Sequence, residues 1–359
     1  MEFLFELPVI GLLFQFVAYL IQVLPNLSPI ILGISVPVAF GALCGIMNER
    51  SGVVNIGIEG MMLMSCFFGF VAAGWAADAV GENVIGPFDT SLALLVGVAV
   101  SILTAVLMSV LHAWLSVSVR ADQIISGVII NLLAFGLTGY LNRVFISPHP
   151  GIGAGTFSSW DPPEWLIELP VVGWLFDMFL NQGPISMTLI VFVIGLQVWL
   201  FRSRWGLRTR AVGEHPRAAD TLGIDVIRLR YRNVILGGVF AGLAGAYITL
   251  EQVGSFQNNM TAGRGFIALA CVIFGRWTPI GAFGAALLFA GTEVFGRAVS
   301  ITPPTGNLAD IGAILEAIPS FFYSVLPYVV TIIILAGVVG RSIPPAADGR
   351  PYEKEGHAT

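Results

Sequence analysis

The chain has 359 residues, of which 56% are hydrophobic and only 11% are charged. Soluble proteins average about 25% charged residues, and a soluble protein of this size needs a polar shell around its core. The composition, with a mean hydropathy of +0.86, therefore excludes a soluble globular protein. The net charge of −5 says little as a total, and no basic patch interleaved with aromatic residues indicates nucleic-acid binding, so no nucleic-acid partner is expected.

Ten apolar stretches are candidates for membrane helices, which need about 20 mostly apolar residues to cross a bilayer. They are 7–24, 29–47, 53–76, 91–115, 122–141, 184–201, 233–253, 265–275, 279–297 and 319–340. The first is flanked by Pro8 and Pro25 and could instead lie at the interface, while 265–275 is too short to cross alone and could form one broken element with the next stretch. The fold class predicted is an all-α, polytopic transmembrane helical bundle of about ten spans, with a membrane domain 1–341 and a polar tail 342–359.

The distribution of positive charge predicts the orientation in the membrane. When residues 48–52 are placed in the cytoplasm and the spans alternate, all but Arg143, Arg264 and Arg297 of the 17 basic residues fall on the cytoplasmic side. This asymmetry follows the positive-inside rule, and the inverted topology would violate it. Both termini are therefore predicted to be cytoplasmic.

The outer loop 142–183 contains an apolar run from Trp165 to Phe179. Such a run could form a short helix that lies in the outer interface of the membrane. Its tryptophans are explained either by an aromatic belt at the headgroup level or by a docking surface for an extracytoplasmic partner.

The loop 202–232 contains eight arginines and the signals of a short helix. Glu214 and Pro216 suit a first helical turn, and Gly223 suits a C-terminal stop. The sequence thus predicts a helix over 214–223 on the cytoplasmic side, between two spans. Such a helix is a candidate for contact with a soluble partner.

Ala218 and Ala219 lie within this predicted helix and are small enough to let another surface approach closely. An ordinary anchoring loop offers the alternative explanation, because positive charge alone holds such loops on the cytoplasmic side. The alternative accounts for the arginines and leaves the helix signals unexplained.

The segment 48–63 contains the most informative polar residues inside a predicted span. Asn55 and Glu59 are four residues apart and would share one face of a helix. A carboxylate that faces lipid is costly, so Glu59 should face the protein interior or a water-filled path. Glycines next to such polar groups can mark a broken helix at a transport site. Asn131, in the middle of another span, is either interhelical glue or part of the path.

Three blocks of sequence together resemble a known family. They are Glu49-Arg-Ser-Gly-Val-Val-Asn-Ile-Gly-Ile-Glu-Gly-Met-Met-Leu63, Gly213-Glu-His-Pro-Arg-Ala-Ala-Asp-Thr-Leu-Gly-Ile224, and Gly263-Arg-Gly-Phe-Ile-Ala-Leu-Ala-Cys-Val-Ile-Phe-Gly275 followed by Pro279. The chain resembles, over roughly residues 29–340, the ABC importer permeases of the branched-chain amino acid/ribose class. It is most similar to their nucleoside and simple-sugar branch.

The resemblance implies a transport subunit in a bacterial plasma membrane that carries a nucleoside or a simple sugar. It implies pairing with a second permease subunit, either a paralogue or another copy, and delivery of solute by an extracytoplasmic solute-binding protein. The positions of Asn55, Glu59 and Asn131 in the spans, apart from the resemblance, make them candidates to line or brace the translocation path. The residues implied to couple the chain to an ABC ATPase subunit are Glu214, Pro216, Ala218, Ala219, Gly223 and Ile224.

The chain itself is not expected to hydrolyse ATP. A Walker A loop needs a Gly-Lys-Ser/Thr sequence, and the only lysine is Lys354, in Glu-Lys-Glu. ATP and Mg²⁺ would therefore bind to the separate ATPase subunit, and this chain is expected to bind no cofactor.

Two other classes of function compete with an ABC permease. An ion-coupled secondary transporter could use Glu59 as its proton or cation site, although that class leaves the ordered Arg-rich loop unexplained. A membrane enzyme is disfavoured, because the four histidines are far apart in sequence and no cysteine pair or nucleophile motif occurs. No metal or catalytic site is therefore expected.

Overall fold

The computed structural model describes residues 8–81, 84–149, 151–169, 172–301, 304, 308–333 and 342–354. Its helices are α1 (Pro8–Glu49), α2 (Ile58–Val80), α3 (Leu92–Ala113), α4 (Gln123–Leu141), α5 (Glu164–Ile167), α6 (Gly173–Leu180), α7 (Pro184–Arg202), α8 (Arg204–Glu214), α9 (Pro216–Thr221), α10 (Val226–Ala246), α11 (Arg264–Phe274), α12 (Pro279–Ile301), α13 (Ala309–Ala317) and α14 (Ser320–Ile333). The π-helical segments Trp114–Ser118, Asn142–Ile146 and Tyr247–Val253 extend α3, α4 and α10. Within the described residues no β-strand occurs beyond an isolated bridge, which confirms the all-α prediction.

Seven of the described helices are long and apolar enough to cross a membrane, so the chain is a multi-pass membrane protein. The sequence predicted about ten spans, and three candidates account for the difference. The stretches 7–24 and 29–47 form the single helix α1, and 265–275 forms the 11-residue helix α11. The stretch 319–340 lies partly outside the described residues.

Helix α1 continues through Pro25 and Pro29, where the sequence suggested a break. A proline inside a helix lacks the N–H that the carbonyl four residues earlier would accept. The carbonyl of Pro25 would accept from the amide of residue 29 in a regular helix, but residue 29 is a proline. The hydroxyl of the buried Ser28 donates to the Pro25 carbonyl instead, at 2.8 Å. A local substitute of this kind lets membrane helices tolerate proline, and it explains why the expected division at Pro25 was wrong.

The described residues of Met1–Ser35, Asp161–Gln182 and Leu287–Arg341 form one compact unit. Its core is a cluster of five buried apolar side chains, Tyr19, Val299, Ile311, Leu315 and Tyr323. The unit also includes α5 and α6. The apolar run from Trp165 to Phe179 therefore contributes to two short helices, whereas the sequence suggested one.

The described residues of Val36–Trp160, Gly183–Ala286 and Ser342–Thr359 form the second unit, in which α2, α3 and α10 pack together. The packing is close because glycines line the helix contacts. A Cβ added to Gly242 of α10 would come within 2.5 Å of the Cα of Ile102 in α3. Between α3 and α2, the hydroxyl of Ser101 donates to the carbonyl of Ser65 at 2.9 Å.

Loops that the charge pattern assigned to the cytoplasm come together within this second unit. Arg120, which follows α3, pairs with Glu353 of the C-terminal segment at 2.7 Å. Arg230, near the start of α10, donates to the carbonyl of Ser51, just after α1, at 3.0 Å. The alternating topology requires these loops to lie on one side of the membrane, and their contacts agree with it.

Candidate functional site

Arg50, which directly follows α1, connects the three sequence blocks. Its Nε donates to the carbonyl of Trp277 at 2.8 Å, and its Nη2 donates to that of Arg276 at 3.2 Å. These two residues have left-handed φ angles of 54° and 52°, so Arg50 holds a strained turn between α11 and α12. The carbonyl oxygen of Arg50 lies 2.3 Å from where a Cβ on Gly213 would be, and α8 therefore needs glycine there. Burial lowers the pKa of the Arg50 guanidinium.

Glu59 is completely buried in the first turn of α2. Its Oε1 accepts hydrogen bonds from the Thr261 hydroxyl at 2.6 Å and the Gly263 amide at 2.8 Å. Its Oε2 accepts from the Gly265 amide at 2.6 Å. These amides belong to the N-terminus of α11, where backbone N–H groups lack helical partners and favour negative charge. The geometry therefore favours a brace between α2 and α11 over a side chain that lines an open path.

Asn55 lies before α2 begins, in the irregular segment that precedes Ile58. Its Oδ1 accepts from the Gly57 amide at 2.9 Å, which forms a local turn into the helix. The expectation that Asn55 and Glu59 share a helix face was therefore wrong, because the side chain of Asn55 competes with the backbone for hydrogen bonds and favours a turn.

Asn131 joins α4 to the beginning of α2. Its Oδ1 accepts from the Gly60 amide at 2.7 Å, and its Nδ2 donates to the carbonyl of Ile56 at 3.0 Å. A Cβ on Gly60 would come within 2.9 Å of the Cα of Asn131, so glycine permits this close approach. Of the two interpretations offered by the sequence, the contacts favour interhelical glue.

His112 is buried in α3 and holds the same irregular segment, a role that its position near the end of a predicted span does not indicate. Its Nε2 lies 3.0 Å from the carbonyl of Val54, and its Nδ1 lies 3.1 Å from the hydroxyl of Ser126. A carbonyl only accepts, so Nε2 carries the proton and Nδ1 accepts from the serine. The amide of Val54 donates to Oε1 of Gln123 at 2.7 Å. No sequence motif links these residues, which come from three different helices or loops.

The loop 202–232 contains two helices where the sequence predicted one. Glu214 is the last residue of α8, so its predicted place in the first turn of the short helix was wrong. Helix α8 begins where the hydroxyl of Ser203 accepts from the Gly206 amide at 3.0 Å. His215 interrupts the helix because Pro216 disfavours the helical conformation in the residue before it.

Helix α9 has one buried face and one exposed face. Ala219 is 3% exposed and packs in a cluster with Val212 and Val226, against which Ile224 also packs. Ala218 is exposed on the other face. Ala219 and Ile224 therefore position α9, and Ala218 is available for contact with another protein.

Gly223 ends the helical segment in a left-handed conformation, with a φ of 81°, as expected for a glycine stop. Just before it, Leu222 is 83% exposed and lies outside the membrane spans. Leu222 and Ala218 are four residues apart. Both are exposed, and of the two the sequence indicated only Ala218 as a residue that another surface could approach.

The C-terminal segment 342–354 also belongs to this region. Arg230, only 1% exposed, donates through Nη1 to the carbonyl of Arg350 at 2.9 Å. Burial raises the pKa of Asp348 to about 7, although the nearby Arg230 lowers it.

Among the described residues, no three His, Cys, Asp or Glu side chains are grouped closely enough to hold a metal ion.

Comparison with known proteins points to one family. The sequence model of the family described as branched-chain amino acid transport system / permease component matches residues 29–340. The nucleoside ABC transporter permease protein NupC of Lactococcus lactis subsp. cremoris is 38% identical over 89% of this chain and 94% of its own length. The guanosine ABC transporter permease protein NupQ of Bacillus subtilis is 36% identical over 93% and 98%, respectively. The putative glucose ABC transporter permease protein TsgC13 of Haloferax volcanii is 33% identical over 83% and 86%. No solved structure matches the chain.

Proposed function

The chain belongs to the branched-chain amino acid transport system / permease component family, and from this premise we propose that it passes a nucleoside across the membrane as the permease subunit of an ABC importer. The observation that carries the choice of solute is the similarity to NupC and NupQ, which extends over about nine-tenths of the chain. The lower identity to TsgC13 makes a simple sugar the second candidate.

In this role the chain is a transport subunit and not an enzyme. ATP and Mg²⁺ bind to a separate ABC ATPase subunit, an extracytoplasmic solute-binding protein delivers the nucleoside, and a second permease subunit completes the path. An ATPase contact near α9 is supported by Ala218 and, just after the helix, Leu222, which are both apolar and exposed outside the membrane spans.

Asn55, Glu59 and Asn131 serve the path as braces in this proposal. Among the described residues, the hydrogen bonds of their side chains lie within the second unit, where they fix the beginning of α2 against α4 and α11. Ion coupling through Glu59 is correspondingly disfavoured, since both of its oxygens already accept hydrogen bonds from protein donors.

The proposed topology in a bacterial plasma membrane places the loop 202–232 and the C-terminal segment on the cytoplasmic side and the loop 142–183 on the outer side. Cysteine labelling tests it cleanly, because Cys44, Cys66 and Cys271 are buried. We expect a membrane-impermeant maleimide to label Glu164→Cys in intact cells and to label Leu222→Cys only after the cells are opened. Labelling of Leu222→Cys in intact cells would reverse the orientation.

Nucleoside uptake is the direct test of function. We expect proteoliposomes that contain the full complex, with its ATPase and solute-binding protein, to accumulate radiolabelled guanosine when ATP is supplied. Excess unlabelled guanosine should compete, whereas excess glucose should not. Competition by glucose and not by guanosine would assign the chain to the sugar branch.

The energy source separates this proposal from ion-coupled transport. Uptake should continue when ionophores collapse the proton and sodium gradients, and it should stop when ATP is replaced by a non-hydrolysable analogue. The matched control is an ATPase subunit that lacks its catalytic carboxylate, in the same vesicles. Uptake that follows the ion gradients instead would contradict the proposal.

A further inference from the structure

The polar tail that follows the membrane domain is attached to the coupling helices. The amide of Ala347 donates to the carbonyl of Gly213 at 2.9 Å. The neighbouring amide of Ala346 donates to Oε2 of Glu214 at 3.1 Å. These two bonds hold the segment 342–354 against the end of α8.

Tyr352 anchors the tail more firmly than these backbone bonds do. Its ring is 7% exposed and packs with Val212, Ala219, Val226 and Leu229, which come from α8, α9 and α10. Burial of an aromatic ring removes about 150–250 Å² from water and dominates the energetics of a small cluster. Tyr352 therefore supports the buried face of α9 and completes a cluster that the coupling helices share.

Two ion pairs flank this ring and contribute less. Glu353 pairs with Arg120 at 2.7 Å, and Lys354 lies 4.0 Å from Asp220 at the end of α9. In both pairs at least one partner is more than 60% exposed, and exposed pairs contribute about 0–1 kcal/mol. These two ion pairs can align the tail once the Tyr352 ring has packed.

The tail and α9 form the two walls of a groove. The side chains that line it come from both segments: His215, Arg217, Ala218, Arg350, Pro351 and Glu353. The groove is continuous with the exposed apolar face of α9, because Ala218 belongs to both. It displays charges of both signs around apolar surface, which is the composition of a protein-binding site more than of a site for a lipid headgroup or nucleic acid.

We propose that the C-terminal segment 342–354 is part of the surface that receives the ABC ATPase subunit, with Tyr352 holding α9 in its docking position. The inference rests on the proposed function, since it assumes that an ATPase docks at α9. It assigns a role to a segment that follows the matched residues 29–340. A loop of the ATPase would enter the groove and contact Ala218 on one wall and Arg350 on the other.

Two kinds of variant separate positioning from direct contact. Tyr352→Ala removes the ring from the buried cluster and leaves the groove charges unchanged, while Tyr352→Phe keeps the ring and serves as its matched control. Arg350→Glu reverses one charge in the groove and leaves the ring in place. The side chain of Arg350 is exposed, and its hydrogen bonds to Arg230 and Ala347 are made by its backbone, so this variant should fold normally.

The experiment measures how tightly the ATPase subunit binds to the full-length permease in nanodiscs. It then measures how much the solute stimulates ATP hydrolysis. We expect Tyr352→Ala and Arg350→Glu each to weaken ATPase binding at least about tenfold, as the loss of one hot-spot residue does. Tyr352→Phe should bind as the wild type does. Thermal unfolding of the isolated permease reports whether either variant has lost its fold.

Wild-type binding and stimulation in both Tyr352→Ala and Arg350→Glu would overturn the proposal. If Tyr352→Ala does not insert, Arg350→Glu decides the matter alone. ATPase binding is measured without solute, so the two proposals fail in different ways. If the nucleoside assignment is wrong, the wild-type complex binds its ATPase but does not transport guanosine. If this inference is wrong, the variants bind the ATPase as the wild type does.

Discussion

Glu59→Leu is expected to abolish transport and to lower the thermal stability of the permease. The substitution leaves the Thr261 hydroxyl and the amides of Gly263 and Gly265 without the acceptors that they have in the folded protein. A buried donor without a partner costs about 1–3 kcal/mol, and three are affected at once. The N-terminus of α11 would lose its anchor to α2, and uptake of guanosine in proteoliposomes should fall to background.

Glu59→Gln should show an intermediate effect. Its amide oxygen can replace Oε1, which serves Thr261 and Gly263, but its NH₂ group would face the amide of Gly265, and two donors cannot pair. We expect insertion to be normal and transport to be reduced. Glu164→Leu is the matched control, because Glu164 is exposed on a short helix outside the spans. Wild-type transport by Glu59→Leu would show that the brace is dispensable.

Ala218→Asp is expected to weaken docking of the ATPase on the permease and thereby to stop ATP-driven transport. Ala218 lies on the exposed face of α9, so a carboxylate there remains solvated in the isolated permease and should leave folding unchanged. When the ATPase docks, the same carboxylate would be buried without a partner. We expect ATPase binding and solute-stimulated hydrolysis to fall at least about tenfold, with normal insertion. Leu222→Asp should act in the same way.

The controls for this prediction come from the same helix. Ala218→Ser keeps a small neutral side chain and should behave as the wild type does. Ala219→Asp should instead destabilise the permease itself, since Ala219 is 3% exposed within its cluster. Gly223→Val is less informative, because a φ of 81° would strain any β-branched residue there. Full transport by both Ala218→Asp and Leu222→Asp would mean that the loop only anchors the protein.

Several features of this site could be predicted from the sequence because they depend on neighbouring residues. The glycine stop at Gly223 and the place of Pro216 in a first helical turn follow from local backbone preferences, and both are confirmed. The position of Glu214 was wrong for a related reason. The restriction that Pro216 places on His215 ends α8 before α9 begins, whereas propensity alone assigned Glu214 to the second helix.

The sequence by itself determined that this is an all-α membrane protein of the permease family, because hydropathy and the three motifs are properties of the chain read in order. Only the tertiary structure decided what the polar residues do. Glu59 finds its first partner, Thr261, 202 residues away, and Tyr352 completes a cluster whose other members lie on α8, α9 and α10. A buried carboxylate needs hydrogen-bond donors, and the sequence indicates this need. Which donors it obtains depends on how distant segments of the chain pack together.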